Sequence, residues 1–303
     1  MGSLKGEPVP ETLIIGGNGY IGSALYNAID ADSIDLCLFG TDLGYSKIDN
    51  FNDSDISGYE NVILLAAHSS VPMSEYNKEN AWKNNVDYFI KLCERLGDNQ
   101  KLIYASSGSI YGRMSGMSVE SDVNINPINQ YDLTKLINDI VANKFISQGK
   151  NIIGFRFGTV NGPSKNTRAD VMINMMYKTF VDTGKIFYRN PDIMRPILSI
   201  NDLVSAYIKV LSSNKFISGQ YNLCSFNSSV KDIVNITANK IGCQIEQLPD
   251  EPAYDFQIDN SKFCETYNFK FSESIESIVQ KMIDSDNLNF SVRDNDDRFN
   301  EVV

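Results

Sequence analysis

Histidine is nearly missing from this 303-residue chain, where His68 is the only one. That excludes metal sites built on histidine clusters and argues against a histidine-based nucleophilic triad. Cysteine is sparse as well. Cys37, Cys93, Cys224, Cys243 and Cys264 are odd in number and scattered, with no C-x-x-C. Neither a disulfide framework nor a thiolate zinc site is expected, and a reducing compartment fits. No apolar run approaches the ~20 residues that a spanning helix requires. The opening Met1–Gly6 lacks the apolar core of a signal peptide, and Gly6 stands where a myristoylation signal wants Ser or Thr. A soluble, cytoplasmic protein is therefore expected. Positive charge is also short. The net charge of −11 speaks against duplex nucleic acid as a partner. It leaves room for a small anionic ligand held by a local group of arginines.

What is present suits a packed globule: 42% hydrophobic and 21% charged residues. At this length one large α/β domain with a smaller lobe is the natural arrangement. Thr12–Gly16 is a short β-rich run, and a helix is predicted from Gly19 to about Ile29. Further strands are predicted near Ile34–Phe39 and Lys47–Phe51. Asn61–Ala67 (NVILLAA) is a continuous apolar run, as in a parallel strand buried on both faces. A long helix over about 73–96 follows Pro72 and stops at Gly97. Lys101–Ser106 and Asn151–Phe157 read as strands, and between them Pro127 opens a helix over about 128–147. Strands separated by helices predict a doubly wound parallel sheet of Rossmann type. Its expected extent is residues 12–163. Residues 164–284 are expected to form mainly a smaller α/β substrate lobe, with a return to the sheet near 195–223. Flexible termini are expected at 1–11 and 285–303.

Gly16, Gly19 and Gly22 form G-x-x-G-x-x-G between the first strand and the first helix. Gly16 permits a tight turn, Gly19 lets backbone approach a pyrophosphate, and Gly22 lets helix and strand pack closely. The helix N-terminus adds unpaired N–H groups and a positive dipole end. An ordinary glycine turn is the alternative, but the place directly after the first strand favours a dinucleotide site at Gly16, Gly19, Tyr20, Ile21 and Gly22. No Lys or Arg occurs from Gly6 to Ser46. A ribose 2′-phosphate would find no cation there, so NAD is expected rather than NADP. Asp42, about 20 residues beyond Gly22, could accept from the ribose hydroxyls; a plain turn residue is the alternative.

Tyr131 and Lys135 form Y-x-x-x-K, on one face of a helix. An ammonium beside a phenol favours the phenolate, which predicts a tyrosine pKa lowered toward working pH. With 15 tyrosines in the chain, roughly one such pair arises by chance. The setting gives it meaning. The strand Leu102–Ala105 runs into Ser106-Ser107-Gly108-Ser109-Ile110-Tyr111-Gly112, so Ser107 stands at the C-terminal end of a parallel strand, where ligands bind in open α/β sheets.

Together these motifs resemble an extended short-chain dehydrogenase/reductase of the NAD-dependent sugar-nucleotide epimerase/dehydratase family. The resemblance runs from Thr12 to about Met282. It takes in the glycine loop, the LLAA strand, Asn85-Val86, S-S-G-S-I-Y-G, Y-D-L-T-K, R-F-G-T-V-N-G-P at Arg156–Pro163, R-P-I-L-S-I-N-D-L at Arg195–Leu203 and D-N-S-K at Asp259–Lys262. It implies Ser107, Tyr131 and Lys135 as the catalytic trio. It further implies Lys135 on the nicotinamide ribose, Ala66 and Ala67 near the cofactor, and an acidic residue at the adenine, for which Asp49 is the match. Three departures stand out: Gly158 where related epimerases often carry Asn, Pro196 in place of an acidic residue, and no arginine at Tyr254–Gln257. Arg168, Arg189 and Arg195 are the candidates for a diphosphate clamp, since guanidinium forks suit phosphate oxygens. His68, after the LLAA strand, is expected near the cleft as a polar loop residue.

The implied activity is C4-epimerisation of a nucleotide sugar through a 4-keto intermediate. A 4-ketoreductase using NAD(P)H and a non-catalytic nucleotide-sensing protein on the same fold are the alternatives. In dehydratase relatives an Asp-Glu pair follows the catalytic hydroxyl residue; here Gly108 and Ser109 hold those places, which speaks against 4,6-dehydration. Relatives pair through two long helices, and a homodimer is expected here, with Phe89, Cys93, Ile137 and Val141 among its apolar positions.

Overall fold

The computed structural model describes residues 11–29, 31–34, 56–114, 116–122, 125–285 and 288–291. Six parallel strands form the main sheet: β1 (Thr12–Ile15), β2 (Asp32–Ile34), β3 (Asn61–Leu64), β4 (Lys101–Ser107), β5 (Asn151–Phe157) and β6 (Gly219–Leu223). Their order is β6-β5-β4-β3-β1-β2. Between β1 and β3 the chain changes direction across the sheet. That reversal opens a crevice beyond the strands' C-terminal ends, where the loops after β1 and β3 diverge. The strand expected at Lys47–Phe51 lies outside the described residues, as do Asp42 and Asp49.

Alternation along each strand sends side chains into two layers. Ile14, Ile63, Ile103, Ile153 and Phe155 pack with the helix Ile200–Leu211 through Leu203, Ala206 and Tyr207. Leu13, Ile15, Val62, Leu102, Tyr104 and Ile152 pack on the other face with Phe89, Leu92, Cys93 and Ala142. A third cluster holds the lobe together. Ile173 and Met176 meet Ile186, Ile197, Val230, Ile233 and Val234, and Ile278, Val279 and Met282 close it.

The expected long helix over 73–96 is interrupted. Val71–Tyr76 ends at Asn77, whose carboxamide oxygen accepts the Asn80 N–H at 3.0 Å and opens a new helix, Lys78–Trp82. An Asn side chain offers backbone groups an alternative to the helical ladder, and here it takes it. A π-helical turn at Lys83–Asp87 follows, before the helix Tyr88–Arg95. The helix expected from Pro127 begins at Gln130 and runs to Ser147. Asn129, not Pro127, sets its start, accepting the Asp132 N–H at 2.9 Å. Past residue 284 the chain still pairs with the lobe, Phe290–Ser291 lying beside Thr167–Arg168.

The helix Gln130–Ser147 is pinned to the sheet by a buried ion pair. Arg156 Nε donates to Asp139 Oδ2 at 2.8 Å, with both side chains at least 95% withdrawn from solvent. Tyr104 Oη donates to Asp139 Oδ1 at 2.7 Å, and Arg156 Nη1 donates to Tyr111 Oη at 2.7 Å. Gly154 makes room for Tyr104: a Cβ there would lie 2.4 Å from the tyrosine oxygen. Removing one partner of such a pair leaves an uncompensated charge in the core. Asp139→Ala is expected to lose about 3–5 kcal/mol of folding stability, measured by urea unfolding; a loss below about 1 kcal/mol would show that the pair does not hold the helix.

Candidate active site

The loop after β1 is shaped by its glycines. Gly16 has φ +100°, and a Cβ on it would stand 2.7 Å from the Ala66 nitrogen at the end of β3. A Cβ on Gly22 would lie 2.0 Å from the Gly16 carbonyl oxygen. The helix Tyr20–Ala28 therefore starts pressed against the turn. Its cap residue, Gly19, carries no side chain, and no acidic residue lies in the first turn. The result is a helix N-terminus with bare N–H groups at the switch point of the sheet, the setting for an anionic diphosphate. Ile21 packs on the core. The Tyr20 side chain turns away from the loop: its hydroxyl donates to the Gly162 carbonyl at 2.8 Å and accepts from Asn174 at 3.2 Å. It ties the loop to the lobe.

A cleft of about 450 Å³ runs from this loop to the end of β4. Gly16, Gly19, Tyr20, Ile21, Gly22, Ala66 and Ala67 line one part of it; Ser107, Tyr131 and Lys135 line the other. The three polar residues come from two elements. Ser107 ends β4, and the helix Gln130–Ser147 carries Tyr131 and Lys135 one turn apart. Lys135 Nζ donates to the Ala105 carbonyl at 2.8 Å and lies 5.7 Å from the centre of the Tyr131 ring. Burial pulls its pKa down to about 8, while Asp139 pushes the other way.

The expected lowering of the Tyr131 pKa is corrected here. The pKa is raised, chiefly because burial disfavours the phenolate. A hydrogen bond with Ser107 and the charge of Arg168 act in the lowering direction, and Asp132 adds to the rise. The lysine's nitrogen is occupied by a backbone carbonyl behind the ring, and the cation that the phenol feels is Arg168.

The three arginines fare differently. Arg168 lines the cleft, but Asp170 occupies its fork: Nε donates to Oδ1 at 2.8 Å, and Nη2 pairs with Oδ2. Arg195 also lines the cleft. Its Nη2 reaches Thr159 Oγ1 at 3.3 Å, its Nε is buried with no hydrogen-bond partner, and no carboxylate pairs with it among the described residues. Arg189 is a correction. It lies on the lobe surface, donating to the Pro249 carbonyl at 2.7 Å and pairing with Glu251 at 2.8 Å, outside the cleft lining. It follows the edge strand Lys185–Tyr188, so its side chain faces the 249–251 loop.

Several cleft residues were not singled out from the sequence, among them Asp170, Met172 and Met175. Two of the noted departures meet each other. A Cβ on Gly158 would stand 2.9 Å from the Pro196 carbonyl oxygen, so a larger residue at 158 does not fit against this strand. Asn85 is another structural residue: it accepts the His68 N–H at 2.7 Å and donates to the His68 carbonyl and to Thr134 Oγ1, at 3.1 and 3.0 Å. The π-turn presents it there, and so joins the loop after β3 to the helix bearing Tyr131. No cluster able to hold a metal ion exists among the described residues.

His68 itself is buried behind the cleft wall. Burial lowers its pKa from 6.5 to about 4. The folded-state value lies below the unfolded one, so between them the unfolded chain binds the additional proton. Stability is then full above about 6.5 and declines as pH falls toward 4. As the protein's sole histidine, its imidazole gives one set of NMR signals, expected to titrate near 4; an ordinary midpoint near 6.5 would refute the burial.

Comparison with known proteins agrees with this geometry. The chain is 29% identical to protein CapI of Staphylococcus aureus over 273 residues, covering 78% of this chain and 80% of that one. It is 27% identical to a UDP-glucose 4-epimerase of Lactobacillus helveticus over 236 residues, 66% and 72% of the two chains. Its fold matches that of UDP-glucuronic acid 4-epimerase from Bacillus cereus, solved with UDP-glucuronic acid and NAD, at a TM-score of 0.77 and 22% identity; 90% of this chain and 98% of that one are covered. No described helix is long and apolar enough to cross a membrane. Residues 12–224 match the family model, and with the glycine loop, the switch-point cleft and the tyrosine–lysine helix they show that the chain belongs to the NAD dependent epimerase/dehydratase family.

Proposed function

We propose that the protein is an NAD-dependent nucleotide-sugar C4-epimerase. The observation that carries this reading is the meeting of Ser107, Tyr131 and Lys135 in one cleft with the glycine loop. The cradle fits a dinucleotide, because the glycines leave no side chain between the cleft and the helix N-terminus. Gly16, Gly19 and Gly22 would face the pyrophosphate, and Lys135 would hold the ribose. NAD, when bound, supplies the hydride acceptor for sugar C4 and returns the hydride to the other face.

The chain's own residues handle the proton and the substrate's charge. Tyr131, in its phenolate form, takes the proton of the C4 hydroxyl, and its hydroxyl gives one back to the 4-keto oxygen. Ser107 holds that oxygen in line. The positive charge of Arg168 acts against the burial that keeps the phenol neutral. Arg195 is the strongest candidate for the diphosphate, since a buried guanidinium with a free N–H favours an anion. Arg168 bounds the cleft with its charge balanced by Asp170.

Two expectations supplement this reading. Leu133 and Ile140 are exposed on the helix Gln130–Ser147, together with Trp82 on the neighbouring helix. Phe89 and Cys93, expected at the interface, are buried in the chain's own core instead, and it is these exposed residues that support a homodimer through the two helices. A cytoplasmic setting suits the nucleotide-sugar substrate. The second functional reading, a 4-ketoreductase, is favoured by the raised pKa of Tyr131, which keeps the phenol as a proton donor.

Incubation with UDP-glucose, UDP-glucuronic acid, dTDP-glucose and GDP-mannose plus NAD should give a C4 epimer of at least one sugar. A 4-keto-6-deoxy product instead would mean that a dehydratase acid lies outside the places held by Gly108 and Ser109. Tyr131→Phe should lower kcat by ~10²–10⁴-fold with the fold intact; retention of more than about a tenth of the rate would remove Tyr131 from acid–base duty. Calorimetry should show tighter binding of NADH than of NADPH, and the reverse order would overturn the cofactor reading.

A further inference from the structure

Arg195 is a buried cation whose orientation its hydrogen bonds do not explain. Its backbone is fixed. It lies in the strand Met194–Ser199, the middle one of three, between Thr159–Asn161 and Phe226–Ser229. Pro196 beside it favours extended backbone at Arg195. The side chain is far less tied. A guanidinium carries five N–H donors. Here the only hydrogen bond among the described residues runs from Nη2 to Thr159 Oγ1 at 3.3 Å, and Nε is buried without an acceptor. The neighbouring Asp255 turns its Oδ1 to the Met194 N–H at 2.8 Å.

What flanks the guanidinium is an aromatic ring. Arg195 Cζ lies 5.9 Å from the centre of the Tyr254 ring, and both residues line the cleft. The ring is anchored through its hydroxyl. Tyr254 Oη donates to Asp132 Oδ2 at 2.7 Å and accepts from Asn129 Nδ2. Asn129 caps the helix that carries Tyr131, and Asp132 lies fully buried in its first turn. Asp132 is immobile in turn: Ser109 Oγ donates to Oδ1 at 2.6 Å, and Asn129 Nδ2 and the Ile128 N–H donate to Oδ2 at 2.9 and 3.3 Å. On another side the Phe256 ring meets Tyr254, with centres 6.0 Å apart and planes at 70°. We propose that Tyr254 is a positioning residue: its ring, fixed by Asp132 and Asn129, orients Arg195 toward the diphosphate of a nucleotide sugar.

A ring suits this task better than a carboxylate. Its quadrupole attracts a cation without neutralising it, so the charge of Arg195 stays available to a ligand. Arg168 shows the contrast, for Asp170 fills its fork. The segment Tyr254–Gln257, which holds no arginine of its own, thus contributes by aiming the arginine of another strand. The inference rests on the reading of Arg195 as the residue that meets the diphosphate.

The test is a double-mutant cycle, read by calorimetric titration of the NAD-saturated protein with UDP, dTDP and GDP. Tyr254→Leu should weaken whichever diphosphate the unaltered protein binds by about tenfold, and Arg195→Gln should weaken it further. Combining the two should cost no more than Arg195→Gln alone, because a residue that acts through Arg195 has nothing to orient once it is gone. Tyr254→Phe keeps the ring and loses its anchor; its loss should be smaller, and should also vanish beside Arg195→Gln. NADH affinity, measured separately, should not change. Additive losses overturn the proposal, since Tyr254 would then touch the ligand itself or merely support the fold. So does full affinity in Tyr254→Leu, or a parallel loss of NADH affinity. Should Tyr254→Leu fail to fold, the cycle built on Tyr254→Phe decides in the same way. If the unaltered protein binds no diphosphate, or Arg195→Gln binds it fully, the reading of Arg195 itself fails; a loss confined to Arg195→Gln refutes only the role of Tyr254.

Discussion

The ion pair between Arg156 and Asp139 is the contact on which the site depends. The helix Gln130–Ser147 carries both Tyr131 and Lys135, and nothing in its sequence fixes how it is rotated or how far it slides along the sheet. Asp139, two turns beyond Tyr131, sits against Arg156 of β5, with Tyr104 of β4 on its other oxygen. Three elements are thereby locked at one point. Charges withdrawn from water tolerate little displacement, because each ångström of separation exposes an unpaired ion to a low-dielectric interior. With Asp139 held, Lys135 one turn earlier meets the Ala105 carbonyl, and Tyr131 lies over the end of β4 beside Ser107.

The opposite wall of the cleft is set by close backbone approach. Gly16 abuts Ala66, and Gly22 abuts Gly16, at distances that no side chain could share. The two loops at the switch point are thus as near as backbone allows, and the helix N-terminus between them stays uncovered. Asn85, presented by a π-turn, bonds both His68 and Thr134 and so joins this wall to the helix bearing Tyr131. The glycine loop and the helix bearing Tyr131 and Lys135 are two parts of one hydrogen-bonded frame.

Electrostatics inside the cleft runs against the simplest expectation. A lysine four residues from a tyrosine suggests a readily ionised phenol. In the folded protein desolvation dominates for both groups, raising the tyrosine pKa and lowering that of the lysine. The surrounding charges then decide the balance, Arg168 on one side and Asp132 on the other. Arg195, buried with no carboxylate partner among the described residues, leaves a positive potential for an anionic ligand.

Much of this protein was legible in its residues alone. Apolar runs of strand length, spaced by helical stretches, determine a parallel sheet, because a strand covered on both faces must be apolar throughout. The glycine spacing after β1 marked the tight turn there, since only residues without Cβ permit those approaches. Arg156 carried a signal that went unread: an arginine within the buried strand NIIGFRF demands a partner. Local pattern could not supply what depends on contacts distant in sequence. Asn77 breaks a helix whose apolar periodicity continues through it. Arg189 and Arg195 lie six residues apart, yet the first pairs with Glu251 on the surface and the second faces the cleft, because a strand edge and a sheet interior separate them. The protonation balance of Tyr131 was decided only by tertiary structure, for desolvation depends on how deeply the folded chain buries a group, and spacing along a helix does not record that depth.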